Sequence, residues 1–161
     1  MAAAQRALEL FQAAGDQVGQ ASALTDVGWY HGRLGHHRQA LAFCGQALAL
    51  HQQLDNRAYQ AHTWSCLADT HHQLGDRPQA IDCYRRALAL FRELGDRYGE
   101  AGTLAHLGGL HRDAGDLGAA RDAWRQARAI LGEFDQPAAD QIRGRLHRLD
   151  QPAAAEALFR P

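Results

Sequence analysis

The chain has 161 residues, of which 46% are hydrophobic and 22% charged, and its formal net charge is −1. This composition is typical of a folded globular protein, and arginine and acidic residues are balanced along the chain, which leaves no basic surface for nucleic acid. No apolar run approaches the roughly 20 residues that span a bilayer, and the first residues lack the layout of a secretory signal. We therefore expect a cytoplasmic protein with no membrane contact.

The first predicted element is a helix over residues 2–14, AAAQRALELFQAA. It has the spacing of the second helix of a helix pair whose first helix is missing. Ala4, Ala7, Leu8 and Phe11 would then lie on an apolar face that a preceding pair normally covers. Either the chain was cut from a longer protein or this face is buried against another copy, and both cases predict weak self-association through the N-terminal end.

Three blocks of forty residues follow, 21–60, 61–100 and 101–140, and they align without a gap. The first and second blocks share 12 of 40 residues, and so do the second and third. Each block has a break near its middle, at Gly35, Gly75 and Gly115, and a second break near its end. Glycine commonly ends a helix, and an aspartate after it can cap the next one. Each block is therefore predicted to form two helices.

A further helix is predicted after the third block. Pro137 is suited to the first turn of this helix, and Ile142, Leu146 and Leu149 form its apolar stripe. Residues 152–159 are predicted as a short partner helix. The whole chain, 1–161, is then a single array: the second helix of a truncated repeat in 1–20, repeats in 21–60, 61–100 and 101–140, and a partial or capping repeat in 141–161.

The middle block has Trp64, Leu67, Ala68, His71, Gly75, Ala80, Tyr84 and Ala87 at its positions 4, 7, 8, 11, 15, 20, 24 and 27. The other two blocks have related residues at these positions, and the pattern resembles the tetratricopeptide repeat (TPR). Two features depart from that family: histidine replaces an aromatic residue at position 11 of every block, and the period is forty residues rather than thirty-four. The longer period resembles the arrays of SARP-type and STAND-type bacterial regulators and of animal adaptors such as kinesin light chains.

The resemblance implies an all-α fold, a right-handed superhelical solenoid of antiparallel helix pairs whose first helices line a concave groove. It implies non-catalytic binding of a protein or peptide segment in that groove, as the sensor or scaffold part of a larger bacterial regulator. The alternative is a structural spacer or self-association element with no groove ligand. The implied peptide-binding residues are Asp26, Trp29, Arg33, His62, Cys66, Asp69, His72, Gln73, His106, Arg112 and Asp113.

The ten histidines and three cysteines invite a metal or catalytic interpretation. The histidines at position 11 recur one repeat apart, about 10 Å, too far for one ion, and we expect them to pack as rings. His62, Cys66 and Asp69 lie on one helix face, with His106 at the Cys66 position one repeat later. A polar groove wall is the preferred interpretation of this set and a zinc site is the alternative. Without a nucleophile elbow or phosphate loop, we expect no enzyme activity, no cofactor and no metal.

Overall fold

The structure, a computed structural model, describes the backbone of residues 1–158 and the side chains of residues 1–151. Over these residues the chain forms eight helices and no β-strand, which confirms the all-α class. They are α1 (Ala2–Ala14), α2 (Gln17–Arg33), α3 (His37–Gln53), α4 (Arg57–Gln73), α5 (Arg77–Leu94), α6 (Arg97–Asp113), α7 (Leu117–Leu131) and α8 (Gln136–Leu158). None of the helices in this range is long and apolar enough to cross a membrane.

The helices form two compact units, Met1–Gly95 with α1–α5 and Asp96–Pro161 with α6–α8. In the first unit α2 packs against α3 and α4 against α5, while α1 lies on α2, α3 on α4, and α2 also reaches α4. In the second unit α6 packs against α7, and α7 against α8. Each helix thus contacts mainly its neighbours in the sequence, which is typical of a repeat array.

The turn inside each helix pair has the same backbone conformation. Gly35, Gly75 and Gly115 have φ angles of 78°, 78° and 81°, which glycine adopts without steric cost. The residue after each glycine donates its N–H to the carbonyl of the position-11 histidine, five residues earlier, at 2.9 Å. These bonds close the last turn of the first helix, as the glycine pattern predicted.

Side-chain caps fix where most of the helices begin. The residue before the helix accepts a hydrogen bond from a backbone N–H of the first turn in α2, α4, α5, α6 and α7, through Asp16, Asn56, Asp76, Asp96 and Asp116. In α3 the corresponding residue is His36, and its side chain makes no such bond. The first turn of α3 therefore lacks a contact that its counterparts α5 and α7 possess.

Small residues allow the two helices of a pair to approach closely. A Cβ atom on Gly28 of α2 would lie 2.5 Å from Sγ of Cys44 in α3, and one on Gly108 of α6 would overlap the indole ring of Trp124 in α7. The alanines at positions 20 and 27 of each block have no exposed surface; they are Ala40, Ala47, Ala80, Ala87, Ala120 and Ala127. The small-residue pattern in the sequence therefore marks the contact surface of the pairs.

The structure corrects the sequence prediction at the C-terminal end and adds a contact at the N-terminal end. α8 continues as one helix to Leu158, so residues 152–158 do not form a separate partner helix, and Phe159 lies outside the described residues. At the other end, Ala4, Ala7, Leu8 and Phe11 are half-buried, so part of this apolar face is accessible and part is covered. The reason is that this face of α1 lies on α2, where the Phe11 ring meets Gly19. Leu10 is a large apolar side chain of α1 that is exposed, at 55%.

Candidate functional site

Trp29 on α2 is an exposed aromatic residue at a predicted groove position, with 44% of its surface accessible. The ring of Tyr30 meets it edge-on, with 5.0 Å between the centroids. The guanidinium of Arg33, one turn later, lies over the indole at 5.4 Å from its centroid. Such a cation–π contact contributes on the order of 0.5–1 kcal/mol at an exposed site. Its neighbours therefore hold the Trp29 ring in place while leaving it open to solvent.

Cys66 on α4 lies among acidic side chains, in hydrogen-bond contact with Cys44 of α3. That hydrogen bond and burial raise the pKa of the Cys66 thiol, and the carboxylates of Asp69 and Asp26 add to the shift. The hydroxyl of Tyr84 donates to the Asp69 carboxylate, and burial and that carboxylate raise the pKa of Tyr84. Asp26 is an exposed residue, yet the protein around its carboxyl group displaces enough water to raise its pKa. A thiol kept neutral in this way is a poor nucleophile.

His62, which the sequence grouped with Cys66 and Asp69, makes separate contacts. Its ring meets Phe91 of α5 edge-on at 5.2 Å and Tyr59 at 6.5 Å between centroids. At the end of α4, His72 is half-buried and Gln73 is exposed. Among the side chains described, no group of three or more His, Cys, Asp or Glu residues is placed to hold a metal ion. The zinc alternative is thus left without a ligand set in this part of the chain.

In the second unit, Arg112 at the end of α6 is held from two sides. Its Nε and Nη2 donate to Oδ1 of Asp113 at 2.8 and 2.6 Å, and its Cζ lies 5.9 Å from the centroid of the Trp124 ring. Nε1 of Trp124 donates to the carbonyl of Ala105 at 3.0 Å. His106 is exposed. The predicted residues Arg112 and Asp113 therefore form an ion pair without net charge, and the Arg112 guanidinium lies against the ring of Trp124.

A buried polar contact that was not predicted from the sequence joins α2, α3 and α4 through Thr25, His51 and Thr63. His51 has no exposed surface, and its Nε2 lies 3.2 Å from Oγ1 of Thr25. That hydroxyl donates to the carbonyl of Ala21, so Nε2 of His51 is the donor and Nδ1 is left without a partner. Burial lowers the pKa of His51, and the Ala21 carbonyl offsets only part of this shift. His51 is a neutral structural histidine in the folded protein.

Comparison with known proteins gives the repeat family. Sequence models of the tetratricopeptide repeat match residues 20–54 and 59–133. The chain carries tetratricopeptide repeats. No curated protein matches it. Among solved structures, it is similar to BtubC (BKLC) from P. vanneervenii, with a TM-score of 0.70 and 19% identity over 91% of this chain and 68% of that one. It is also similar to the MamA protein, with a TM-score of 0.58 and 17% identity over 92% and 85%.

These likenesses confirm the predicted all-α TPR solenoid and, at such identities, concern the fold alone. Within the TPRs, the position-11 histidines pack at the turn. The His31 ring stacks on Phe43, with 5.3 Å between centroids and 6° between planes. Nδ1 of His71 and of His111 lies 3.6 and 3.9 Å from the carboxylates of the N-cap residues Asp76 and Asp116. The sequence contained the signal for this pairing, since an aspartate follows each of these two histidines after five residues.

The TPR pattern did not identify two arginines on α8. The apolar stripe predicted for α8, Ile142, Leu146 and Leu149, is buried. Arg145 and Arg148 line a pocket together with Arg112. Their spacing was the available signal, because residues 145, 148 and 149 share one face of a helix.

Proposed function

We propose that this chain is a non-catalytic module that binds protein or peptide segments through the exposed faces of its first helices, α2 and α4 in the first unit and α6 in the second. The observation that carries the proposal is Trp29, an aromatic ring that is 44% exposed and held by Tyr30 and Arg33. A fixed and accessible aromatic side chain is the kind of residue that dominates binding energy at protein interfaces. Tetratricopeptide repeats, found here by two sequence models, supply a scaffold suited to such contacts.

The proposed setting is the sensor or scaffold part of a larger bacterial regulator in the cytoplasm. The first helices begin at Gln17, Arg57 and Arg97, and the second helices at His37, Arg77 and Leu117, so each helix recurs after forty residues. This spacing supports the resemblance to SARP-type and STAND-type arrays. All seventeen basic residues are arginine, which supports a GC-rich bacterial source.

Two further features favour protein over other partners. The arginines often pair with acids, as in Arg57 with Glu93 at 2.6 Å, Arg86 with Asp82 at 2.8 Å and Arg97 with Glu133 at 3.1 Å. Such pairing reduces the extended positive charge that nucleic-acid binding requires. The best candidate nucleophile, Cys66, has a raised pKa, which favours a binding role over catalysis.

The test is site-specific photo-crosslinking in the source cells. Benzoylphenylalanine replaces Trp29 in one version of the protein and Arg85, an exposed residue of the second helix α5, in the control version. We expect the Trp29 position to capture a defined partner and the Arg85 position not to do so. The affinity of the captured segment is then measured for the parent, for Trp29→Ala and for Arg85→Ala. Loss of a hot-spot aromatic is expected to weaken binding about thirtyfold, or about 2 kcal/mol.

A partner captured from Arg85 alone, with affinity unaffected by Trp29→Ala, would show that the first-helix faces are not the binding surface. Capture from neither position would favour the structural alternative, a spacer or self-association element. Leu10 of α1, 55% exposed, is the residue through which weak self-association would then be tested.

A further inference from the structure

The second unit contains a pocket of about 210 Å³ between the end of α6, the beginning of α7 and the middle of α8. Half of its lining residues are arginines and the other half are large apolar residues. They are Arg112, Arg145 and Arg148, with Leu117, Trp124 and Leu149. Such a combination of an apolar surface with a few convergent polar groups is typical of ligand sites.

The arginines give the pocket an uncompensated positive charge. Arg112 is neutralised by Asp113 at 2.6 Å. Arg145 and Arg148 have no hydrogen-bond or ion-pair partner among the described side chains. Their neighbours differ in this respect, since Arg121 pairs with Asp150 at 2.8 Å and Arg143 with Asp140 at 3.3 Å. Two of the three guanidinium groups at the pocket are therefore available to an anion.

The floor of the pocket is apolar. Trp124 is only 1% exposed, and its single donor is already bonded to the Ala105 carbonyl, so the pocket meets the ring rather than the N–H. Leu149 is buried beside it, while Leu117, the first residue of α7, is 43% exposed at the rim. A group that contacts this floor gives up its contacts with water. Only an apolar group can do so at little cost in free energy.

A second pocket in the same unit provides a comparison. It has a volume of about 370 Å³, and its charged lining residues are Arg128, Arg143, Glu133 and Asp140. Its two arginines are balanced by two acidic residues, so the lining has no net charge that would favour a charged ligand. The pocket at Arg145 differs because it combines excess positive charge with an apolar floor.

We propose that the pocket at Arg145 and Arg148 binds a partner peptide by a hydrophobic side chain and the carboxylate of an adjacent aspartate or glutamate. This inference rests on the proposed function. It specifies the chemistry of the partner segment that binds at the end of α6. Guanidinium groups pair with carboxylates through short, charge-assisted hydrogen bonds. A doubly charged phosphate fits less well, because Asp113 lies at the edge and Asp116 already occupies the N-terminus of α7, accepting from Ala119 N at 3.0 Å.

The experiment uses a fluorescein-labelled peptide of sequence Gly-Ser-Leu-Glu-Ser-Gly and the full chain, with binding followed by anisotropy. Three further peptides replace the Leu-Glu pair with Leu-Gln, Ala-Glu or Leu-phosphoserine. We expect measurable binding of the Leu-Glu peptide and a loss of about tenfold or more in the Leu-Gln and Ala-Glu forms. Arg145→Gln and Arg148→Gln should each weaken the Leu-Glu peptide by about tenfold. Arg143→Gln, on the same helix and at the other pocket, is the matched control and should change affinity less than about twofold.

Circular dichroism and the urea midpoint establish that each variant is folded before its affinity is compared. Absence of Leu-Glu binding up to about 5 mM would overturn the proposal, as would an equal loss in Arg143→Gln, which would indicate nonspecific charge attraction. Tighter binding of the phosphoserine peptide would replace the carboxylate with a phosphate ligand and would also overturn it. These outcomes are distinguishable from failure of the proposed function, because photo-crosslinking from the Trp29 position is measured separately and does not depend on α8.

Discussion

At the scale of single residues, the side chain allowed at position 8 of a repeat depends on its partner at position 24. Gly28 meets Cys44, and Gly108 meets Trp124, the larger of the two partners. Trp124 is 1% exposed and its N–H is bonded to the Ala105 carbonyl. The ring therefore has neither space nor freedom to withdraw, and no added methyl group fits at Gly108 without displacing it.

Gly108→Ala is accordingly expected to lower the free energy of unfolding by about 1–3 kcal/mol through overpacking. The control is Gly109→Ala, the next residue of α6, where a Cβ would have no heavy atom within 4 Å. This replacement should raise stability by about 0.5–1 kcal/mol, because alanine favours the helix over glycine. Urea unfolding of both variants measures the difference, and equal responses would show that the Gly108–Trp124 contact is not tight.

The buried His51 predicts a pH dependence of stability. In the unfolded chain its imidazole gains a proton near pH 6.5, while burial lowers the pKa in the folded protein. The unfolded state therefore binds more protons as the pH falls. The free energy of unfolding should be fully retained above about pH 6.5 and should fall below it, by at most about 1.4 kcal/mol per pH unit, until the lowered pKa is reached.

The measurement is urea unfolding of the parent, His51→Gln and His147→Gln between about pH 7.5 and pH 5.5. His51→Gln should flatten the decline, since glutamine does not titrate and can still donate to Thr25. His147, exposed on α8, is the control and its variant should keep the parental slope. An unchanged slope in His51→Gln would assign the acid sensitivity to other groups.

At the scale of elements, the turns that precede the three second helices have the same conformation, but the N-terminal caps of these helices differ. Asp76 and Asp116 accept from the backbone of Gln79 and Ala119, whereas His36 at the same point of α3 makes no cap bond. Its ring instead contacts that of His31, with 3.3 Å between the two Nδ1 atoms. The first turn of α3 is therefore the weakest helix start of the three.

His36→Asp is expected to stabilise the protein by about 1 kcal/mol, the usual contribution of an N-cap. The new carboxylate would accept from the backbone of Gln39, as Asp76 accepts from Gln79. Asp76→Ala should lose a similar amount and serves as the reciprocal variant. Thermal and urea unfolding report both. If His36→Asp has no effect while Asp76→Ala is destabilised, the His31–His36 contact already compensates for the missing cap.

The same elements show why the sequence predicted most of the fold. Glycines at the turns, aspartates after them and alanines at positions 20 and 27 are local signals, and each contact they predict lies within one helix pair. The ends were harder, because Pro152 is compatible with either a new helix or a continued α8. At the N-terminal end the pattern shows that the Phe11 face is apolar, but it does not show that the Phe11 ring lies against Gly19 of α2.

At the scale of the whole molecule, the repeat pattern predicts which residues share a face but not which of them touch. His62 lies on the face predicted with Cys66, yet its ring meets Phe91, because side-chain direction depends on neighbours in the next helix. Arg145 and Arg148 were missed since the pocket they line takes residues from three helices. Contacts between residues distant in sequence have no fixed spacing, so a structure is needed to identify them.

Gly35, Gly75 and Gly115 share one φ value to within a few degrees, and a Cβ at any of them would have no heavy atom within 4 Å. The backbone ends created by opening the chain at one of these turns therefore have the same conformation as those at another. Unequal crossing-over between the corresponding stretches of the gene would add or delete one complete helix pair, and the new junction would still lead from a helix stop into the start of the next helix. The turns thus permit the array to change by whole repeats of forty residues, provided that the residues at positions 8 and 24 of the new pair fit as Gly108 and Trp124 do.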